Sequence, residues 1–216
     1  MMTPPLVPLS GRRAQAARND EAILSAAREV FVNDPSSPIA AVSQRAGVGI
    51  SALYRRYPSK EVLLGKLCSD GQAIYIDEAE RALADDGDLW EAYATFLRRI
   101  VAADTHSLTV RLAGTFVPTG RHLQDAERMR RLSEQLFGRT QAAGAIRSDV
   151  TELDVAFLME LLAQTRLGSQ QRTAELRQRF LGVILDGLRP GSSAVLPGRA
   201  PTWDEQLQRW TPSDSK

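Results

Sequence analysis

Cysteine is almost missing from this chain. Cys68 stands alone among 216 residues, which excludes an intramolecular disulfide and fits a reducing compartment. Histidine is nearly as scarce: His106 and His122 lie in separate segments, with no H-E-x-x-H and no paired cysteines, so metal-ligand spacing is absent. No G-x-S-x-G elbow, phosphate-binding loop or dinucleotide fingerprint occurs. The acidic trio Asp85, Asp86 and Asp88 comes nearest to a cation site, and a solvated, helix-capping link is the simpler account of it. Cys68 ends an apolar stripe, as a core or helix-end thiol does more readily than a nucleophile. No apolar run approaches the roughly 20 residues of a membrane span, and the first residues carry no signal-peptide core. Alternating β-branched strands with hairpin turns are also lacking. These absences remove the usual signatures of an enzyme, a metalloprotein, a membrane protein and a β fold. They leave an all-helical chain, expected in the cytoplasm, with no cofactor and no catalytic residues.

What is present is ordinary in amount and uneven in placement. Hydrophobic residues make up 43% and charged residues 25%, enough for one large or two modest globular domains. The net charge is only +1. Residues 1–68 nevertheless hold nine Arg and Lys against five acids, net +4, and the remainder is net −3. A basic N-terminal module on a slightly acidic body fits nucleic-acid binding by one part of the chain.

Residues 37–67 are the stretch around which the rest is organised. Ser37 is placed to cap a helix whose first turn holds Pro38, where the missing N–H costs nothing. That helix turns Ile39, Val42 and Ala46 inward and stops at Gly47, the residue best suited to positive φ. Val48 and Gly49 make a turn. A second short helix follows, with Ile50, Leu53 and Tyr57 as its apolar stripe. Pro58-Ser59 ends it and opens a third helix through Val62, Leu63, Leu64 and Leu67. Two short helices about a glycine turn are a helix-turn-helix, whose second helix can enter a DNA major groove.

At about 100° per residue, Ser51, Ala52 and Arg55 form the outer face of that second helix. Small side chains allow close approach, and an arginine pairs with guanine O6 and N7. Tyr54 and Arg56 flank this face at phosphate distance, and Ile50 either packs inside or meets a thymine methyl. Lys60 opposes the dipole of the helix it opens, and a phosphate at that N-terminus would satisfy both; the plain alternative is a tolerated exposed lysine.

The run A-G-V-G-I-S-A-L-Y-R-R-Y-P-S-K-E-V-L-L resembles the signature of the TetR-type (AcrR-type) transcriptional regulators, closely from Arg18 to Leu67 and beyond that only in helical layout and length. The resemblance implies that Tyr54 and Lys60 hold phosphates and that Ile50, Ser51, Ala52 and Arg55 face bases. Tyr57 stands where such proteins usually carry Phe, so packing is its expected task. Gly49 replaces a common Ser or Thr cap and Ser51 a common Gly, which alters the base-contact pattern but not the fold.

The other segments read as follows. Residues 1–17, with Arg12 and Arg13, read as a flexible arm, either solvated or entering a minor groove. A bracing helix starts at Arg18 with Ile23, Ala27, Val30 and Phe31 on one face and ends at Asn33-Asp34-Pro35. Residues 70–84 either continue the helix from Ser59 or break from it at Gly71. Asp88 caps a helix over 89–103, a short helix covers 107–116, and another runs over 121–142. Thr151 and Asp154 form a capping box for a helix over 151–166, and the last body helix spans 174–188. The tail from Pro190 reads as a linker ending in Trp203, Leu207 and Trp210 on one helical face, a stripe that packs back on the chain's own body or a partner, or else belongs to a disordered end.

The expected architecture is therefore an N-terminal three-helix helix-turn-helix DNA-binding domain over 18–68, a helical ligand-binding and dimerisation domain over 69–189, and an extension over 190–216. Tyr75, Trp90, Tyr93, Phe96, Phe116, Phe137 and Met129 read first as core. The resemblance implies that the middle helices enclose a small-molecule pocket, with Tyr75, Trp90, Tyr93, Phe96, Phe116 and Met129 as candidate lining and Arg99, Arg111 or Gln164 as polar contacts. An apolar or aromatic effector is preferred. It implies also that the helices at 151–166 and 174–188 pair across a two-fold axis; their stripes otherwise close the monomer core. The expectation is a homodimeric repressor released from a near-palindromic double-stranded DNA operator by a small molecule, with no membrane partner. The alternatives are a ligand-independent DNA-binding regulator and a helical enzyme with a DNA-binding head.

Overall fold

The computed structural model describes residues 11–106, 116–191 and 194–208, and every element among them is helical. The expected short helix over 107–116 lies outside them apart from its last residue, as do Arg111 and Trp210. The chain divides into two compact units at Leu67/Cys68.

The first unit holds α1 (Gly11–Asn33), α2 (Ile39–Ala46), α3 (Ile50–Arg56) and the opening of α4 (Lys60–Ala84). Helix α1 begins at Gly11 and not at Arg18. The added turns are rich in Ala, Arg and Gln, strong helix formers that need no buried face. Its inner face is Ile23, Ala26, Ala27 and Phe31, all buried, and α2 packs across it. Ser37 does not cap α2. Asp34 takes it instead: its carboxylate accepts the Ser36 N–H at 2.9 Å, the Ser36 hydroxyl at 2.6 Å and the Ser37 hydroxyl at 3.0 Å. Pro38 is left as an N-cap residue without a side-chain bond. At the other end Gly47 adopts φ +66, and the N–H groups of Gly47 and Val48 return to the carbonyls of Gln44 and Ser43. A β-carbon there would be strained even though the space around it is open.

The second unit is a helical body. Helix α4 is unbroken through Gly71, so it is covalently shared with the first unit. It is followed by α5 (Leu89–Ala102), α6 (Gly120–Ala142), α7 (Glu152–Gln164), α8 (Gln170–Leu188) and the short α9 (Trp203–Gln208). Helix α5 is central, packing against α6, α7 and α8. Its core face carries Trp90, Tyr93, Phe96, Leu97 and Ile100. Asp88 caps it by accepting the Glu91 N–H at 3.0 Å. The Thr151–Asp154 box opens α7, Asp154 reaching back to the Thr151 N–H at 2.7 Å. Helix α8 starts four residues before Ala174, because Ser169 accepts the Arg172 N–H and supplies the cap.

One buried arginine in the middle of α8 ties two helix ends together. Arg177 donates to the carbonyls of Ala163 and Thr165 past the end of α7, and to Asp104 at 2.6 Å beyond α5. Asp104 is the one non-glycine with positive φ among the described residues, at 53°, a conformation that a short polar side chain tolerates.

Candidate nucleic-acid interface

Helix α3 is seven residues long, and its two faces are unlike. Leu53 is fully buried and Tyr57, just past its end, is 4% exposed, so these two hold it down. Ser51, Tyr54 and Arg55 are exposed and Ala52 is half-buried. Ile50, left open between core and outside by the sequence, is 40% exposed and belongs to the outer face. The outward set thus comprises an apolar residue at the first turn, two small residues, a phenol and a guanidinium. Among the described residues Arg55 is exposed and has no ion pair and no side-chain hydrogen bond.

Arg56, the next residue, is differently placed. Its Nε and Nη2 donate to the two carboxylate oxygens of Asp20 at 2.8 and 3.0 Å, and the Tyr57 hydroxyl donates to the same carboxylate at 2.7 Å. The guanidinium holds the Asp20 carboxyl below its usual range, while partial burial works against it. Asp20 lies 36 residues upstream on α1, and no local pattern announces the pairing. It fixes the far end of α3 to α1.

Lys60 is engaged too. Its ammonium donates to the carbonyls of Pro35 at 2.6 Å and Ser37 at 2.8 Å and sits 5.0 Å from the centre of the Phe31 ring. This cation closes the α1–α2 loop onto the start of α4. The sequence shows why a positive charge at that helix start is tolerated only in retrospect, since the two carbonyls come from a loop over twenty residues away.

In the body, Tyr75, Trp90, Tyr93 and Phe96 are buried and lie against one another and Phe137. Tyr75 meets Phe96 edge-on at 5.2 Å, and Tyr93 meets Phe137 at 6.2 Å. Met129 is part-buried against the same cluster, and Phe116 stacks edge-on against His122 at 5.5 Å. Arg99 pairs with Glu78 at 2.9 Å, and Gln164 is exposed at the end of α7. Phe96 also borders a cleft of about 230 Å³ whose other walls include Glu78, Arg81, Asp85, Asp88, Glu91 and Arg99.

The aromatic cluster contains polar groups that sequence reading passed over. Ser133 donates to Glu152 at 2.5 Å and stands in hydrogen-bonding reach of Tyr75. Burial raises the Glu152 carboxyl above its usual range and pushes the Tyr75 and Tyr93 phenols far up, which keeps the two phenols protonated. Burial also lowers the His106 imidazole to about 4. His122 is the residue that most resembles catalytic apparatus, at 2.9 Å from the Ser69 hydroxyl. Its Nδ1 accepts the Thr119 N–H at 3.0 Å, which places the proton on Nε2 and makes Ser69 the acceptor. The pair is a helix cap and a brace, with no activated serine. Among the described residues no group of acidic, His and Cys side chains could hold a metal ion, and no helix is long and apolar enough to cross a membrane.

Comparison with known proteins agrees with the geometry. Residues 23–67 match the family model for bacterial regulatory proteins of the tetR family, and residues 90–190 match that for the C-terminal domain of SbtR-like transcriptional regulators. Among solved structures, a TetR transcription regulatory protein from Mycobacterium vanbaalenii is 27% identical, covering 82% of this chain and 98% of its own, with a TM-score of 0.54. A TetR regulator from Streptomyces coelicolor is also 27% identical, covering 80% and 99%, with a TM-score of 0.54. The fold is shared by LfrR of Mycobacterium smegmatis, solved with proflavine, at 20% identity, coverage of 77% and 95%, and a TM-score of 0.51. No curated protein matches the sequence.

Proposed function

Given that this chain belongs to the TetR family of transcriptional regulators, we propose that it is a homodimeric repressor that leaves a near-palindromic operator when a small molecule binds the body. The observation that carries the DNA-binding part is the division of α3, with Leu53 and Tyr57 inside and Ile50, Ser51, Ala52, Tyr54 and Arg55 outside or at the rim. Arg55 reads a base edge, and Tyr54 holds a phosphate. Arg56 and Lys60 primarily hold the module in shape, and Lys60 adds its remaining N–H to a phosphate. The N-terminal module, about residues 18–68, is the reader, 69–189 form the ligand-binding and dimerisation body, and 190–216 form an extension.

Two copies pair through α7 and α8. Leu161 and Val183 are 61% and 70% exposed there, as apolar residues seldom are without a partner. A dimer sets two recognition helices about one DNA turn apart and multiplies discrimination. Ligand binding among Tyr75, Trp90, Tyr93, Phe96, Phe116 and Met129 shifts α4, which runs unbroken from Lys60 into the body. About 2.7 kcal/mol of coupling lowers operator affinity a hundredfold, within the ordinary allosteric range. The protein carries out no catalysis and works in the cytoplasm.

A ligand-independent regulator is the second reading, favoured by the mutual packing of the body aromatics. The test is selection of a binding site from random duplexes, followed by titration of the complex with flat aromatic compounds, proflavine first. Recovery of an inverted repeat supports the dimeric reader, and failure to enrich any sequence removes it. Unchanged operator affinity at saturation with a compound shown to bind the body removes the induction step.

A further inference from the structure

The extension after Pro190 opens as a linker in sequence and closes on an aromatic stripe that reads as packing on the body or a partner, and part of it is fastened to the body. Arg147 grips Asp149 through Nε at 2.6 Å and Nη2 at 2.8 Å, and its Nη2 also donates to the Ala194 carbonyl at 2.8 Å. The Asp149 carboxylate accepts the Leu196 N–H at 2.9 Å. Further along, Glu205 reaches back to the Thr202 N–H and opens α9, and the Trp203 ring lies 5.7 Å from the Arg130 guanidinium. The strap is thus held at two places. Between them Arg199, Ala200 and Pro201 face Phe157, Leu158, Leu161 and Ile184 of α7 and α8 across a groove of about 930 Å³.

The charges in this groove point to its occupant. Its charged residues are Arg147, Asp154, Arg199 and Glu205, two of each sign. All four are bonded within the chain: Arg147 to Asp149, Asp154 to Thr151, and Arg199 to Glu205. Positive and negative charges are balanced across the groove, so it does not select a strongly charged nucleic acid or peptide. The rest of the lining is apolar, and α8, which supplies part of it, also exposes Phe180 and Val183, at 37% and 70%. The surface that covers such a stripe is another of the same kind, and a two-fold axis supplies one from an identical chain.

We propose that the strap is part of the self-association surface: the groove between residues 194–205 and helices α7 and α8 receives the α7–α8 face of a second copy. This rests on the dimer reading above and adds to it a specificity element that a chain ending near residue 190 would lack.

Sedimentation equilibrium of the full chain tests it, with three variants. Leu161→Lys should be monomeric. Arg147→Ala, which removes one fastening of the strap, should weaken dimerisation at least tenfold. Ala200→Glu keeps the Arg147 fastening and puts a charge on the groove wall, and it should weaken dimerisation to a similar degree. Helix content of the variants should match the wild type, and melting should fall only as far as the loss of dimer requires. Dimerisation as tight as wild type in both Arg147→Ala and Ala200→Glu, with Leu161→Lys monomeric, overturns the strap's role and leaves the dimer standing. A wild-type chain that stays monomeric at every concentration overturns both.

Discussion

Arg55 and Arg56 are neighbours on one short helix, and Arg177 is a third arginine deep in the body; the three show what decides the use of a guanidinium. Arg55 is exposed and unpaired among the described residues, so its donors remain available. Arg56 is exposed yet bound to Asp20. Arg177 is 6% exposed, and its donors are distributed over two carbonyls and a carboxylate. In the N-terminal module cations lie at the surface and some remain unspent; in the body the buried cation is fully engaged. Recognition is expected from the first kind and stability from the last.

The largest effect should follow from breaking the last kind. Arg177→Ala leaves the carbonyls at the end of α7 without their charged donor, and should destabilise the body by about 3 kcal/mol in urea unfolding. Lys60→Met removes two charge-assisted bonds that close the α1–α2 loop, and should cost about 1.5–3 kcal/mol in thermal unfolding of the N-terminal module. Its operator affinity should also show a slightly flatter salt dependence; an unchanged slope would leave Lys60 as a structural clamp alone. Arg55→Ala should leave the melting temperature where it is, cost about 1–3 kcal/mol of operator binding and relax preference at one position per half-site. An even loss on all sequences would move Arg55 to the phosphate group of contacts.

A smaller effect should appear with pH. The His106 imidazole is lowered to about 4 by burial, below the 6.5 of an open histidine. The folded state therefore binds fewer protons than the unfolded chain, so the stability contributed by neutral His106 is complete above about pH 6.5 and is lost as the pH falls towards 4. His106→Phe should flatten the unfolding profile across that window; a profile identical to wild type would assign the acid sensitivity to other groups.

Much of the recognition module was legible because its signals are local. Gly47 at positive φ, Leu53 and Tyr57 at helical spacing, and the small residues between them report the turn and its outer face within a few positions. The Thr151–Asp154 box was legible for the same reason. The early start of α1 was obscured by the habit of reading prolines and arginines as an arm, although Ala and Gln at 14–17 favour a helix. Ser37 was misplaced as a cap because Asp34, three residues before it, competes for its hydroxyl.

By itself, the order of residues determined the all-helical class, the helix-turn-helix and the outward placing of Ser51 and Arg55 on α3, because helix periodicity and glycine stereochemistry act over short stretches of chain. Only the tertiary structure decided that Arg56 belongs to Asp20, that Lys60 belongs to the loop carbonyls of Pro35 and Ser37, and that the strap is fastened at Arg147. Each of those bonds joins residues 23 to 47 positions apart, and such partners are chosen by the packing of whole helices and not by spacing along the chain.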